Sequence, residues 1–221
     1  MIQQYEINGN TFKGYLASPP EGNCSGILIF HAWWGLNNFQ LDTCDILAKN
    51  GFVALAPDYY GGEIAKNIDE AIVLRRKFNR KDANKIATFA ADYLVSKLAD
   101  GKDRIGTVGF SLGASLAIDV ARKRTKTVKA VVLFYGTGGG KLDKTDAYFM
   151  GHYAEKDEWG ANSARMNAFA DRIRASQHDI DLFVYPTTEH WFAEADRPEY
   201  DEIASKLAWE RTIEFLHDRL G

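Results

Sequence analysis

A serine hydroxyl becomes a useful nucleophile only when the chain presents it clear of neighbouring side chains and supplies a base to take its proton. The segment Gly109-Phe110-Ser111-Leu112-Gly113 meets the first requirement. An apolar run, Arg104-Ile105-Gly106-Thr107-Val108, leads into it and an apolar-periodic segment, Leu112 to Arg124, leads out. The pattern is strand, G-x-S-x-G, helix. Such a turn holds its central residue in strained backbone geometry, and glycine on either side removes side chains that would collide with the strand or the helix. Ser111 is thereby expected at the top of a sheet, beside the first backbone amides of a helix.

The second requirement is a base, with an acid to orient it. Four histidines follow Ser111. His217 falls inside a terminal helical segment, and His178 lies near a helix end, where a dipole contact accounts for it. His152 ends a buried strand and is a minor rival. His190 follows the run Ile180 to Tyr185 and a turn at Pro186-Thr187-Thr188-Glu189, which places it at the carboxyl edge where parallel sheets bind ligands. It is the expected base, and it must be neutral to act. Asp157, in the loop Gly151 to Trp159 after another buried run, is the expected acid; Glu155 and Glu158 are weaker rivals. An oxyanion needs two donors, one of them normally the amide after the nucleophile, here Leu112. The second is expected from His31-Ala32-Trp33-Trp34-Gly35-Leu36, where Gly35 permits a sharp turn and the amide of Trp33 can face Ser111. His31 reads as a structural histidine that holds this loop.

The elements that must position these residues follow from periodicity. Residues 4–17 read as a hairpin around Asn8-Gly9-Asn10. Continuous apolar runs at 27–30, 52–56, 128–134, 147–150 and 180–185 read as strands covered on both faces. Between them, helical periodicity covers 39–50, about 68–98 with a break near 79–84, 112–124, about 162–176 and about 202–220. In the long segment Ile86, Phe89, Ala90, Tyr93, Leu94 and Leu98 form the expected inward stripe, and in the last Ile203, Leu207, Ile213, Leu216 and Leu220 are available to the sheet. Strands alternating with helices predict an α/β protein with a mostly parallel central sheet flanked by helices on both faces, built as one domain over 1–221.

Composition narrows the function. Hydrophobic residues make up 46% and charged residues 26%, and no apolar run approaches the length of a membrane span, so no membrane partner is expected. The N-terminus lacks a secretory pattern, which makes cytoplasmic residence the default. A net charge of -3 gives no general attraction to nucleic acid. Arg75-Arg76-Lys77 with Arg80-Lys81, and Arg122-Lys123-Arg124, read as solvated helix faces. Cys24 and Cys44 read as packing thiols, and no spacing of ligands calls for a metal. Gly136-Thr137-Gly138-Gly139-Gly140 lacks the signature of a phosphate or dinucleotide loop and reads as a flexible edge loop, so no cofactor is expected. Trp33, Trp34, Tyr59, Tyr60, Phe110, Trp159, Trp191 and Phe192 cluster in sequence around the expected site; Trp34, Tyr59, Trp159, Trp191 and Phe192 are the candidates for a substrate-binding wall.

These residues carry a resemblance. His31 to Asn37, Pro57-Asp58-Tyr59-Tyr60, the segment around Ser111, Gly151 through Trp159, Glu189-His190-Trp191-Phe192 and the closing Tyr200 to Leu220 together resemble the dienelactone hydrolase family of α/β-hydrolases. The resemblance implies an α/β-hydrolase fold and puts the nucleophile on Ser111, the acid on Asp157, the base on His190 and the oxyanion amides on Trp33 and Leu112. It also has departures. The family's type enzymes carry cysteine at the Ser111 position, an activating glutamate at Ala32, and two carboxylate-binding arginines at Gly62 and Glu194. The resemblance thus implies a serine hydrolase of small carboxylic esters or lactones, working through an acyl-enzyme on a substrate other than dienelactone. The partner is a small molecule, and the chain bears no mark of a particular oligomeric state. Two alternatives stand beside it: a non-catalytic ligand-binding protein of the same fold, whose sequence mark would be a broken triad where here all three positions are occupied, and an acyl-enzyme used on thioesters or peptides, which the sequence does not separate.

Overall fold

The computed structural model describes residues 1–20, 25–99 and 103–221. Cys24 lies outside the described residues, while Cys44 is a buried free thiol. The elements in order are β1 (Gln3–Ile7), β2 (Asn10–Ala17), β3 (Gly26–Phe30), α1 (Asn38–Lys49), β4 (Val53–Asp58), α2 (Ile68–Lys77), α3 (Arg80–Ser96), β5 (Ile105–Phe110), α4 (Leu112–Lys123), β6 (Val128–Phe134), β7 (Tyr148–Lys156), α5 (Ser163–Ala175), β8 (Ile180–Glu189) and α6 (Glu202–Leu220). They form an eight-stranded sheet in the order β1-β2-β4-β3-β5-β6-β7-β8. The β1–β2 and β2–β4 pairs are antiparallel, and every later pair is parallel. This is the α/β architecture with a mostly parallel sheet that the strand and helix alternation predicts, and it fits the α/β-hydrolase fold that the family resemblance implies.

The continuous apolar runs are strands buried on both faces because their alternate residues enter two separate cores. Ile27 and Ile29 of β3 join a core shared with α1 and α6, whereas Leu28 and Phe30 join one shared with α3, α4 and α5. Strand order reverses between β3 and β5. From β3 the chain goes first to β4 on one side and returns to β5 on the other, which opens a crevice at the carboxyl ends of these two strands. Ser111 follows β5 and the His31–Leu36 loop follows β3, so both stand at that crevice.

The glycines at the β5–α4 turn have a measurable steric reason. Ser111 sits at φ 49°, and its amide donates to the Phe134 carbonyl at 2.9 Å, tying the turn to β6. A Cβ on Gly109 would lie 2.6 Å from the Ala114 Cα, and one on Gly113 would run into the Phe30 carbonyl oxygen. These are backbone atoms that cannot turn aside.

Several elements differ from the sequence reading. Strand β7 continues to Lys156 and β8 to Glu189, so Gly151–Glu155 is strand rather than loop, and Pro186–Glu189 is the irregular end of β8 rather than a turn. Thr187 at φ 62° takes up the irregularity, with its amide donating to Glu155 Oε2 at 2.8 Å. The long helical segment breaks at Phe78, after which the Asn79 side chain accepts from the amides of Lys81 and Asp82 and starts α3. The buried face of α3 is mainly alanine (Ala83, Ala87, Ala90, Ala91) with Leu94, and Ile86, Phe89, Tyr93 and Leu98 pack half-buried along its margins. In α6 the inward face is Ala204, Ala208, Thr212, Phe215, Leu216 and Leu220; Ile203 is 83% exposed and Leu207 is also exposed. Small residues let both helices approach the sheet closely, an advantage that hydrophobicity alone does not register.

His152, in the middle of β7, is fully buried between the Tyr185 hydroxyl on Nδ1 at 2.9 Å and the Thr212 hydroxyl on Nε2 at 3.0 Å. Burial, with a smaller contribution from Arg211, pushes its pKa down to about 3. The folded chain therefore refuses a proton that the unfolded chain accepts below about pH 6.5, and the stability this histidine contributes at neutral pH is lost as pH falls from there toward 3. Two outcomes are expected in urea unfolding followed by circular dichroism. The fall in midpoint from pH 7 to pH 5 will be smaller in His152→Gln than in the wild type. At constant pH, Gly113→Ala will lose about 1–3 kcal/mol or more, while Gly139→Ala, whose Cβ meets nothing within 4 Å, will change by less than about 0.5 kcal/mol.

Candidate active site

Parallel pairing brings the expected acid and base together. Lys156 of β7 is in register with Glu189 of β8, and the strands are followed directly by the expected acid and base, Asp157 and His190. Asp157 Oδ2 lies 2.6 Å from His190 Nδ1, and His190 Nε2 lies 2.8 Å from Ser111 Oγ. With Asp157 ionised, His190 Nδ1–H donates to it, and Nε2 is left to accept from the serine hydroxyl. Asp157 and His190 are buried, while Ser111 is half-buried and faces a cleft of about 480 Å³.

Burial by itself raises the pKa of the Asp157 carboxyl. The hydrogen bond and charge of His190, together with backbone amides, outweigh burial and hold the carboxyl below its ordinary value. Two of those contacts are explicit: Oδ1 accepts from the amides of Trp159 at 2.9 Å and Gly160 at 3.0 Å. A local turn thus fixes one oxygen and leaves the other for His190. The rivals are placed elsewhere. Glu155 bonds to Thr187 on the surface, Glu158 is exposed, and His152 is held in the core. His178 Nε2 donates to the Leu142 carbonyl at 3.0 Å, and the His217 ring packs on Phe52.

Trp33 and Leu112 both reach the cleft, Leu112 as the first residue of α4. Gly35 is at φ 91°, and a side chain there would collide with the Glu63 carbonyl. The loop carrying Trp33 is held from below by His31. Its ring stacks on Tyr59 with centroids 3.7 Å apart, its carbonyl accepts from the Tyr59 hydroxyl, and its Nδ1 contacts the Ala32 carbonyl at 2.6 Å. Burial keeps that ring neutral, with a pKa pushed down to about 3.

The expected aromatic wall is only partly a wall. Trp33 and Trp159 line the cleft, with ring centroids 5.3 Å apart, and Trp159 is 48% exposed. Trp34, Tyr59, Trp191 and Phe192 are buried and do not line it. They pack beneath, Trp191 stacking on Trp33 at 5.7 Å and Phe192 meeting Tyr135 edge-on. Position next to a functional residue in sequence does not decide side-chain direction, because successive residues at a strand end point to opposite sides.

Other residues of the cleft are absent from the sequence reading. Tyr135 follows β6 at φ 39°, packs its ring 4.9 Å from the His190 ring, and donates its hydroxyl to Glu194 Oε1 at 3.0 Å. Gly136 and Thr137 also line the cleft. The run Gly136–Gly140 is a loop after β6, and its first residues stand at the cleft: a Cβ on Gly136 would lie 2.6 Å from the Ser111 carbonyl. The available signal was that Tyr135-Gly136 ends a buried strand at the same edge as Ser111. Arg75, Arg80 and Arg165 reach the cleft too; all three are exposed, so the first two are solvated as the sequence suggests and also border the cleft. Glu194 is fully buried; burial, reinforced by Asp196, pushes its pKa up to about 8, so it keeps its proton at neutral pH. Among the described residues no cluster of histidine, cysteine and carboxylate side chains could hold a metal ion, and no helix is long and apolar enough to cross a membrane.

Comparison with known proteins finds relatives that match nearly the whole chain. The chain is 32% identical to "Protein usf" of Aquifex pyrophilus, over 98% of this chain and 97% of that one. It is 30% identical to a putative carboxymethylenebutenolidase of Aquifex aeolicus, with 96% of each covered. The crystal structure of a putative dienelactone hydrolase from Klebsiella pneumoniae superposes with a TM-score of 0.84 at 21% identity, over 98% of both chains, a likeness of fold. The model of the dienelactone hydrolase family matches residues 12–220, and the chain belongs to that family.

Proposed function

We propose that this hydrolase of ester or lactone bonds is a serine enzyme that works through an acyl-enzyme, with Ser111 as nucleophile, His190 as base and Asp157 as the group that orients His190. The observation that carries this reading is the unbroken hydrogen-bonded chain from Ser111 Oγ through the His190 ring to Asp157 Oδ2, at 2.8 and 2.6 Å. Ser111 Oγ attacks the substrate carbonyl carbon as its proton passes to His190 Nε2. The amides of Leu112 and Trp33 stabilise the oxyanion that forms. The C–O bond to the leaving group then breaks, and the departing oxygen takes the proton from His190. In the second half His190 takes a proton from water, the resulting hydroxide attacks the acyl carbon, and the free acid leaves as Ser111 recovers its proton.

Several features favour this activation over the cysteine chemistry that the family resemblance attaches to the Ser111 position. Serine needs a stronger base than cysteine, and here the imidazole is set on Ser111 with a depressed carboxyl behind it. Ala32, fully buried, offers no carboxylate near the nucleophile. Tyr135 and Trp191 close two faces of the His190 ring, at 4.9 and 4.8 Å, and limit its rotation away from Ser111. We read the substrate as a small ester or lactone, and the protein as a cytoplasmic enzyme in which the chain's own residues carry every step.

With p-nitrophenyl butyrate as substrate, Ser111→Ala is expected to lower kcat by about 10⁴-fold or more, and Asp157→Asn by about 10³- to 10⁴-fold through the wrong imidazole tautomer. A fluorophosphonate probe should label the wild type on Ser111, located by peptide mass, and should leave Ser111→Ala unlabelled. A folded protein that turns over the ester yet takes no label on Ser111 would sink the serine reading. Tight binding of esters without any turnover would favour the non-catalytic alternative.

A further inference from the structure

Glu194 is a carboxyl where packing alone calls for an apolar side chain. It lies four residues after His190 and is fully buried, and Phe192, Ala193 and Tyr135 beside it are buried as well. Its Oε1 accepts from the Tyr135 hydroxyl at 3.0 Å, while Oε2 has no hydrogen-bond partner among the described residues. Burying a carboxyl with a single donor is costly, and a group kept at that cost calls for a role.

The bond it makes joins the two segments that carry the site. Tyr135 directly follows Phe134, whose carbonyl accepts from the Ser111 amide at 2.9 Å, and the Tyr135 amide is itself fixed to the His152 carbonyl of β7 at 2.7 Å. Glu194 belongs to the tight turns after β8: its amide donates to the Trp191 carbonyl at 2.8 Å, and its carbonyl accepts from the Arg197 amide at 2.9 Å. One side-chain bond therefore runs from the strand end that fixes Ser111 to the loop that carries His190. The circuit closes through the rings, with Tyr135 packed 4.9 Å from His190 and His190 Nε2 at 2.8 Å from Ser111 Oγ. Tyr135 holds its place at φ 39°, a strained conformation for a tyrosine, and the hydroxyl bond helps to keep it there.

We propose that Glu194 and Tyr135 form a positioning pair, a brace between the end of β6 and the loop after β8 that keeps the His190 ring seated on Ser111. This rests on the reading of Ser111 and His190 as nucleophile and base. Glu194 does not line the cleft, so it acts through Tyr135 and not on the substrate. The brace is sensitive to protonation. Around Glu194 stand Tyr135 after β6, Tyr59 after β4, and Asp196, Arg197 and Glu199 of its own loop, with His190 and Asp157 on the far side of Tyr135. Burial first, then Asp196, raises the Glu194 pKa to about 8 against the opposing pull of Tyr135 and Arg197. Below that pH the carboxyl is neutral and sits on Tyr135. Above it the carboxylate is repelled by Asp196 and Glu199 and attracted by Arg197, which loosens its hold.

The experiment measures kcat and KM for p-nitrophenyl butyrate in Glu194→Ala, Glu194→Gln, Tyr135→Phe and the double variant Glu194→Ala/Tyr135→Phe, with folding checked by circular dichroism. At about pH 7, Glu194→Ala and Tyr135→Phe should each lower kcat by about five- to tenfold with KM changed by less than about twofold, and the double variant should fall no more than about twofold below Glu194→Ala. Glu194→Gln keeps an acceptor for the Tyr135 hydroxyl and should restore kcat to within about threefold of the wild type. As pH rises through about 8, wild-type kcat should drop by about three- to tenfold, and Glu194→Gln should lack that drop. Single substitutions that leave kcat unchanged, effects that multiply in the double variant, or the same alkaline drop in Glu194→Gln as in the wild type would each overturn the brace. Should Glu194→Ala not fold, Tyr135→Phe and the pH profile of Glu194→Gln decide the matter. If the brace fails while Ser111→Ala abolishes hydrolysis, the nucleophile reading stands; if Ser111→Ala hydrolyses the ester as well as the wild type, that reading is itself wrong.

Discussion

The in-register pairing of Lys156 with Glu189, at the far ends of β7 and β8, is the constraint on which the site depends. It delivers Asp157 and His190 side by side from elements 33 residues apart, close enough for a 2.6 Å hydrogen bond. The same strand ends lie one and two positions along the sheet from β6, whose Phe134 carbonyl anchors the Ser111 amide. Each contact is short because it hangs on a ladder of backbone hydrogen bonds that cannot slip without turning side chains to the opposite face. Between β7 and β8 the register shifts between Ala154 and Lys156, and Thr187 at φ 62° takes up the shift on β8 ahead of His190.

Electrostatics divides the buried polar groups into two kinds. His31 and His152 are kept neutral by burial and serve as hydrogen-bonding parts of the frame, one under the Trp33 loop and one between β7 and α6. Asp157 is kept charged, because its partners outweigh its burial. Glu194 goes the other way and is held protonated beside Tyr135, so that only one ionised carboxylate stands against His190. A second ionised carboxylate there would compete with Asp157 in setting the orientation of the ring. Outside this buried layer Arg75, Arg80 and Arg165 are the charged residues that line the cleft.

Much of the fold was legible because burial on two faces leaves a plain mark: uninterrupted apolar runs for the strands of a parallel sheet, and helical periodicity between them. The Ser111 turn was legible because its glycines answer a steric demand local to five residues. The lengths of β7 and β8 were not, since polar residues such as Glu155 and Thr187 at exposed strand ends look the same as loop. The inward faces of α3 and α6 were legible only in part: Ala90, Leu94, Leu216 and Leu220 are buried as expected, and the small residues beside them were missed. Alanine and threonine at close helix–sheet contacts carry little hydrophobic signal, while Ile203, apolar in sequence, faces solvent.

By itself the sequence determined the alternation of strand and helix, the sharp turn at Ser111, and the places of Asp157 and His190 just after two apolar runs, since each depends on residues near one another along the chain. Only the tertiary structure decided which side chains share a space. It drew Tyr135, Gly136, Arg75 and Arg165 into the cleft and withdrew Trp34, Tyr59, Trp191 and Phe192 into the packing beneath. The physical reason is that strand register, the reversal of strand order at β3 and β5, and the close approach of small-residue helix faces join residues far apart in the chain. No local pattern encodes those distances.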